Sequence, residues 1–224
     1  MNPTCRWVTI AAACRFFGGY SIGFFGASYF NKNWPDKKNT YGFLNALVVS
    51  ICGFTSAIAG GYISDASEKK GIYMSKAYVC MAGTSLAIPF VCLCYLFRGF
   101  ENDDTNFYVA LVSLALEYLF AECWIGPAIT MIINTISPEN KGFAVSAFLF
   151  FATISGTIAT STLGVLGTHF EAAENPRVYG YLLAVYVCIA YAASLPFFLV
   201  AGRSYTAVME KREKEKKEQD ALEE

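Results

Sequence analysis

Six apolar runs separated by short polar segments make up most of the chain, at residues 7–30, 41–63, 73–97, 107–134, 142–167 and 178–201. Each is long enough to cross a hydrocarbon core, which takes about 20 mostly apolar residues. The runs are continuous and lack the ten-residue alternation of barrel strands, so they predict helices. Pro89, Pro127 and Pro196 fall inside runs, where neighbouring helices can absorb a kink. The first run carries Arg15 and lacks a small-residue cleavage site before a polar start, so it reads as a retained span and not a signal peptide. The expectation is an all-α membrane protein with a six-span bundle at residues 1–202 and a charged tail at 203–224.

Composition agrees with the pattern. Charged residues make up 16% of the chain and hydrophobic ones 55%, whereas soluble domains carry roughly 25% charged residues. The charges lie between the runs and in the tail. With six spans, the two termini, the second loop and the fourth loop share one side of the membrane. Eleven lysines and arginines fall on that side and five on the other, so the positive-inside rule predicts both termini in the cytoplasm. Glutamate and lysine alternate through RSYTAVMEKREKEKKEQDALEE, which predicts a solvated helix with pairs four residues apart.

GGYISDASEKKG, residues 60–71, marks the end of the second run. Gly61 and Asp65 form G-x-x-x-D, with Lys69 and Lys70 just beyond. Glycine lets two helices approach, and the acid can cap a helix N-terminus or pair with a cation. Downstream, WIGPAITMIINTISPENKGFA, residues 124–144, places a Gly-Pro inside the fourth run and Pro138, Lys141, Gly142 and Ala144 at the following turn. The first stretch resembles the loop between the second and third helices of a six-helix half of the major facilitator superfamily. The second is similar to the P-x-x-[RK]-G-x-A turn between that half's fourth and fifth helices, and W-x-G-P-A resembles the Spinster-like branch. The chain departs from the pattern at Ala66, where a basic residue usually follows the acid, and in carrying Glu68 ahead of the lysines.

The resemblance implies half of a major facilitator fold, built as 3+3 inverted repeats, that acts as a secondary transporter. Substrate would lie between two halves, so the implied partners are the lipid bilayer, a second six-helix half or the N-terminal half of a longer transporter, and a small organic or lipid-like solute. The short N-terminal lead and charged tail resemble the C-terminal half. Gly61, Asp65, Lys69, Lys70, Pro138, Lys141 and Gly142 become the expected conformational latch. The competing expectation is a non-transporting six-helix scaffold or degenerate half.

Ionisable groups at membrane depth are the leading functional candidates, because each costs at least about 2.5 kcal/mol at the centre of an isolated span. They are Arg15 in the first span and Glu117 and Glu122 in the fourth. Arg15 shares a helical stripe with Gly19, Gly23 and Gly26. Depth pairs Arg15 with Glu122, while Glu117 points about 140° away from Glu122. By the resemblance, these two spans line the central cavity. Glu122 is then expected to be a proton or cation site balanced by Arg15, with Glu117 facing the cavity or held inside the bundle. Tyr20, Asn45 and Trp124 are further expected pathway contacts.

Seven of the eight cysteines fall within runs and read as small packing residues. One histidine, His169, expected in a loop, and the close Cys92 and Cys94 give no metal-ligand pattern. Ser155-Gly156 lacks the preceding glycine and nearby base of an intramembrane serine protease. Neither a phosphate-cradling loop nor a mitochondrial-carrier repeat is present. The expectation is therefore no enzyme, no metal or other cofactor, and no nucleic-acid partner.

Overall fold

The computed structural model describes residues 2–172 and 174–223. It has six long helices: α1 (Pro3–Asn33), α2 (Pro35–Glu68), α3 (Ser75–Leu96), α4 (Asp103–Thr135), α5 (Pro138–His169) and α6 (Pro176–Leu222). All six exceed the apolar runs in the sequence except α3, because polar residues cap and extend them. Asn2 accepts from Thr4 N–H ahead of Pro3, Asn102 accepts from Asp104 N–H, and Asn175 accepts from Arg177 N–H beside Pro176. Each of these side chains satisfies a donor that the first helical turn would leave unpaired. Cys5, outside the first apolar run, is buried in α1, and His169 ends α5 where a loop was expected.

The helix contacts have an internal symmetry. α1 packs along α6 and α5; α4 packs along α3 and α2; α3 also meets α6, and α1 meets α4. Exchanging α1 with α4, α2 with α5 and α3 with α6 leaves this pattern unchanged. Since α1 and α4 run in opposite directions, the two three-helix units form an inverted repeat. Both termini lie at one end, where Thr4 and Ser204 hydroxyls are 2.9 Å apart and the Asn2 amide donates to the Thr135 carbonyl.

Two helices depart from α geometry in mid-course. α2 contains a π-helical segment, Val48–Gly53, and α4 a 3-10 turn, Glu122–Trp124. The latter has a cause in the sequence. Pro127 has no N–H to give the Cys123 carbonyl, and the Ile125 N–H bonds to the Glu122 carbonyl three residues back. The two departures adjoin: a side-chain carbon placed on Gly53 would sit 3.8 Å from Glu122 Cγ.

Glycine permits the closest packing in the same region. A Cβ on Gly60 would overlap the Cys123 carbonyl, whereas one on Gly61 would meet nothing within 4 Å. The close approach expected of the motif glycine therefore belongs to its neighbour. Gly61 contributes its Cα, 3.2 Å from where a Cβ on Gly126 would stand.

The apolar run ending near residue 201 continues without a break as one helix to Leu222. At ~1.5 Å per residue, α6 is roughly twice as long as a hydrocarbon core is thick, so its charged end projects from the bundle. Lys211–Glu215 at 3.6 Å and Lys217–Glu213 at 2.7 Å realise the four-residue pairing.

Gly60→Ala should lower the thermal unfolding midpoint of the detergent-solubilised chain, reflecting about 1–3 kcal/mol of overpacking. Gly61→Ala should leave it near the unsubstituted value. Equal midpoints for the two variants would contradict this account of the α2–α4 contact.

Candidate functional site

The central cluster is built around Arg15, which is 2% exposed. Its Nη2 donates to the Ala121 carbonyl at 2.7 Å, and its guanidinium stacks 3.5 Å from the centre of the Tyr191 ring. Arg15 reaches this carbonyl at the N-cap of the 3-10 turn, where the Ile125 N–H bonds to Glu122 and the Arg15 guanidinium adds a bond from outside the helix. Tyr191 fits because Gly18 has no side chain, as a Cβ there would strike the ring. Gly19 and Gly23, expected to share the arginine's packing face, have open space, while Gly26 approaches the Tyr95 hydroxyl.

Tyr191 also donates to Glu117 Oε1 at 2.7 Å, so it links the arginine face to the carboxylate. Glu117 is 2% exposed and held between α4 and α6. The expected Arg15–Glu122 ion pair is absent among the described residues, since no carboxylate oxygen lies within 4.0 Å of an Arg15 nitrogen. Depth alone suggested that pair. The ring of Tyr191, from a helix distant in sequence, takes the arginine's face, and Glu122 lies on the side of α4 that meets Gly53.

Three polar atoms remain unpartnered in this cluster: Arg15 Nε and Nη1, and Glu117 Oε2. Buried groups of this kind are rare in native proteins and call for an explanation. The carboxylate of Glu122, a half-buried residue, makes no hydrogen bond among the described residues.

The other expected pathway residues separate. Trp124 is 2% exposed, lies edge-on to Phe16 at 5.3 Å, and is 5.8 Å from the Arg15 guanidinium. Tyr20 packs its ring over Gly156 of α5 and is otherwise exposed. Asn45 is half-buried in α2, one turn before the π-helical segment.

At the end carrying the termini, Lys76 forms the centre of a second cluster. It is fully buried and pairs with Asp65 and with Glu68, the latter at 2.9 Å. Tyr205 donates to Glu68, and the Asn134 amide donates to the Tyr205 hydroxyl at 3.0 Å. Arg212 adds a bond to the Asn134 carbonyl, and Tyr73 donates to Glu213 at 2.9 Å. The network ties the α2–α3 turn to α4 and to the projecting part of α6. Bonds from Lys217 and then Tyr73 hold the Glu213 carboxyl below its usual range. That contribution is present above the carboxylate's unfolded pKa and is lost as pH falls through the lowered folded value.

Asp65 thus pairs as its motif suggested, but with a different lysine. Lys69 and Lys70 are exposed and outside the network, and Glu68, unexpected in the motif, is a central acceptor. Pro138 opens the 3-10 turn that starts α5. Lys141 is half-buried, Gly142 is open, and neither joins the network. The signal for Lys76 was a lysine one position inside the third helix, where burial requires an acid close by.

No family model and no curated protein matches the chain. Among solved structures it is similar to the crystal structure of a bacterial homolog of the human lysosomal transporter Spinster, in an inward-facing and occupied conformation. The TM-score is 0.57 at 16% sequence identity, over 94% of this chain and 50% of that one. The chain therefore spans about half the length of the transporter it resembles. With six apolar helices and the symmetric exchange of their contacts, the chain has the fold of one six-helix half of a major facilitator transporter.

Proposed function

We propose that this chain works as one half of a secondary transporter, moving a small organic or lipid-like solute by alternating access against a second six-helix half, with both termini in the cytoplasm. The observation that carries this reading is the under-satisfied mid-bundle cluster. Arg15 and Glu117 retain unpartnered atoms beside two helix irregularities and the Glu122 carboxylate, which has no hydrogen bond among the described residues. Irregular turns inside helices interrupt the regular hydrogen-bond ladder, and they are frequent at functional sites.

In this reading Glu122 exchanges a proton or a substrate cation while the fixed positive charge of Arg15 stays near the neighbouring Ala121 carbonyl. A change in charge at Glu122 alters the field across the α2–α4 contact, where the π-helical and 3-10 segments can shift register. The Lys76 network acts as the latch on the cytoplasmic side. Tyr205 and Arg212 would couple it to α6.

The second reading, a non-transporting scaffold, draws support from the closure of Arg15 and Glu117, both 2% exposed. Uptake measurements separate the two. Cells expressing the chain together with a second six-helix half should accumulate a fluorescent lysolipid above the level of that half alone, more strongly under an imposed proton gradient. Glu122→Gln should abolish the gradient dependence. Equal uptake with and without the chain would leave only the scaffold.

Lys76→Met should destabilise the chain by less than the about 3–5 kcal/mol of a broken buried pair, because the Asp65 side chain is 53% exposed. Lys69→Gln and Lys70→Gln should unfold at the same midpoint as the parent chain in detergent. A loss caused by either surface lysine and not by Lys76 would reassign the latch.

A further inference from the structure

At the end of the bundle opposite the termini, α1, α3 and α6 enclose a cavity of about 210 Å³. Arg98 and Arg177 line it together with Tyr29, Asn33 and Tyr181, and no carboxylate is among its described lining residues. We propose that this cavity binds a phosphate group, as a lipid headgroup or a free anion. The site lies where α1, the end of α3 and the start of α6 meet, shares no residue with the Arg15 cluster, and stands independently of the transport reading.

Arg98 is held in place by the fold. Its Nη1 donates to the Phe97 carbonyl at 2.6 Å, its Nη2 donates to the Tyr29 hydroxyl, and its guanidinium lies 4.2 Å from the centre of the Trp34 ring. Those contacts use two of five donors and leave the others for a ligand. Tyr29 is itself anchored, donating to the Tyr95 carbonyl at 3.0 Å. Arg177 is exposed at the start of α6, and its guanidinium has no bond or ion pair among the described residues.

Two arginines facing one cavity suit phosphate, whose oxygens match the forked guanidinium geometry. The N-terminus of α6 adds favourable polarity. One acid lies beside the site and the others pair or line grooves elsewhere. Asp103 lines an adjoining lobe of about 290 Å³ shared with both arginines. Asp104 pairs with Lys37 at 2.7 Å, and Glu171 and Glu174 line a separate groove with Lys32. The cavity sits where three spans end, flanked by Trp34 and Tyr181, the level at which interfacial aromatics and basic pockets between helices meet headgroups.

Lipid retention by the full chain in detergent, read by native mass spectrometry, tests the site. The unsubstituted chain should retain dioleoyl phosphatidic acid in preference to dioleoyl phosphatidylcholine. Arg177→Gln should weaken that retention about tenfold or more, the value of a hydrogen bond to a charged group. Arg98→Gln with Arg177→Gln should abolish it. Arg177→Gln is the variant that decides, because its guanidinium supports no other part of the fold. Retention insensitive to millimolar inorganic phosphate supports a headgroup site. Displacement by phosphate, lost in Arg177→Gln, supports a free-anion site. Equal retention of the two lipids, or of phosphatidic acid by Arg177→Gln and the unsubstituted chain, overturns the proposal.

Discussion

A permanently charged arginine near the middle of a membrane helix needs partners that the bilayer does not supply, and the interior of this bundle is arranged around that need. Arg15 costs about 2.5–3.5 kcal/mol at the centre of an isolated span. A hydrogen bond to a charged group contributes about 1.5–3 kcal/mol, and a desolvated cation–π contact about 2 kcal/mol, so the Ala121 carbonyl and the Tyr191 ring can offset the burial. The carbonyl stands at the start of the 3-10 turn by which α4 tightens before Pro127, and the ring has room because residue 18 is glycine. A tightened turn in α4 and a glycine one turn beyond Arg15 in α1 thus accommodate the charge. Two guanidinium nitrogens remain unpartnered, which distinguishes this cluster from a closed structural pair.

The same device recurs near the termini. In both clusters a buried cation accompanies a glutamate that accepts from a tyrosine of α6: Tyr191 to Glu117, and Tyr205 to Glu68. These tyrosines belong to a seven-residue stripe, Ala184, Tyr191, Phe198 and Tyr205, in which no residue is more than 1% exposed. Seven residues are nearly two helical turns, so one face of α6 carries both hydroxyls into the bundle. Rotation or sliding of α6 would disturb both clusters together, a physical route for coupling mid-membrane charge to the network near the termini in the proposed transport cycle.

The spans were legible in the sequence because hydropathy is local, and so was the conspicuous charge at Arg15. Its partner was not. Depth and helical phase can be counted along one helix, but the ring that stacks on Arg15 comes from residue 191, and the carbonyl it uses sits at an irregular turn of another helix. The motif at Gly61 and Asp65 correctly marked an acid at a tight α2–α3 turn, yet Lys76 pairs with it from beyond that turn. Lys69 and Lys70 sit on the turn's solvent side. Their proximity in sequence counted for less than the return of the chain into the bundle. Gly60 and Gly61 are indistinguishable by composition, and only the position of the Cys123 carbonyl separates their roles.

The inverted repeat also determines which surfaces need covering. α2 and α5 are equivalent under the exchange of repeats, and only 6% and 22% of their apolar windows are buried, against 39% for each of the other four helices. Their hydropathy is as high as that of the buried helices, so the two exposed faces must meet lipid or another apolar protein surface. α5 is suited to protein contact. Thr153, Thr157 and Thr162 return their hydroxyls to carbonyls four residues back in the same helix, leaving no bond to be supplied from outside. Gly167 has open space around it, and small residues let two membrane helices approach where dispersion forces and not hydrophobicity drive association. In the half-transporter reading, the second half therefore meets α2 and α5 on either side of α1 and α4, and Glu122, beside the π-helical segment of α2, lies close to that junction.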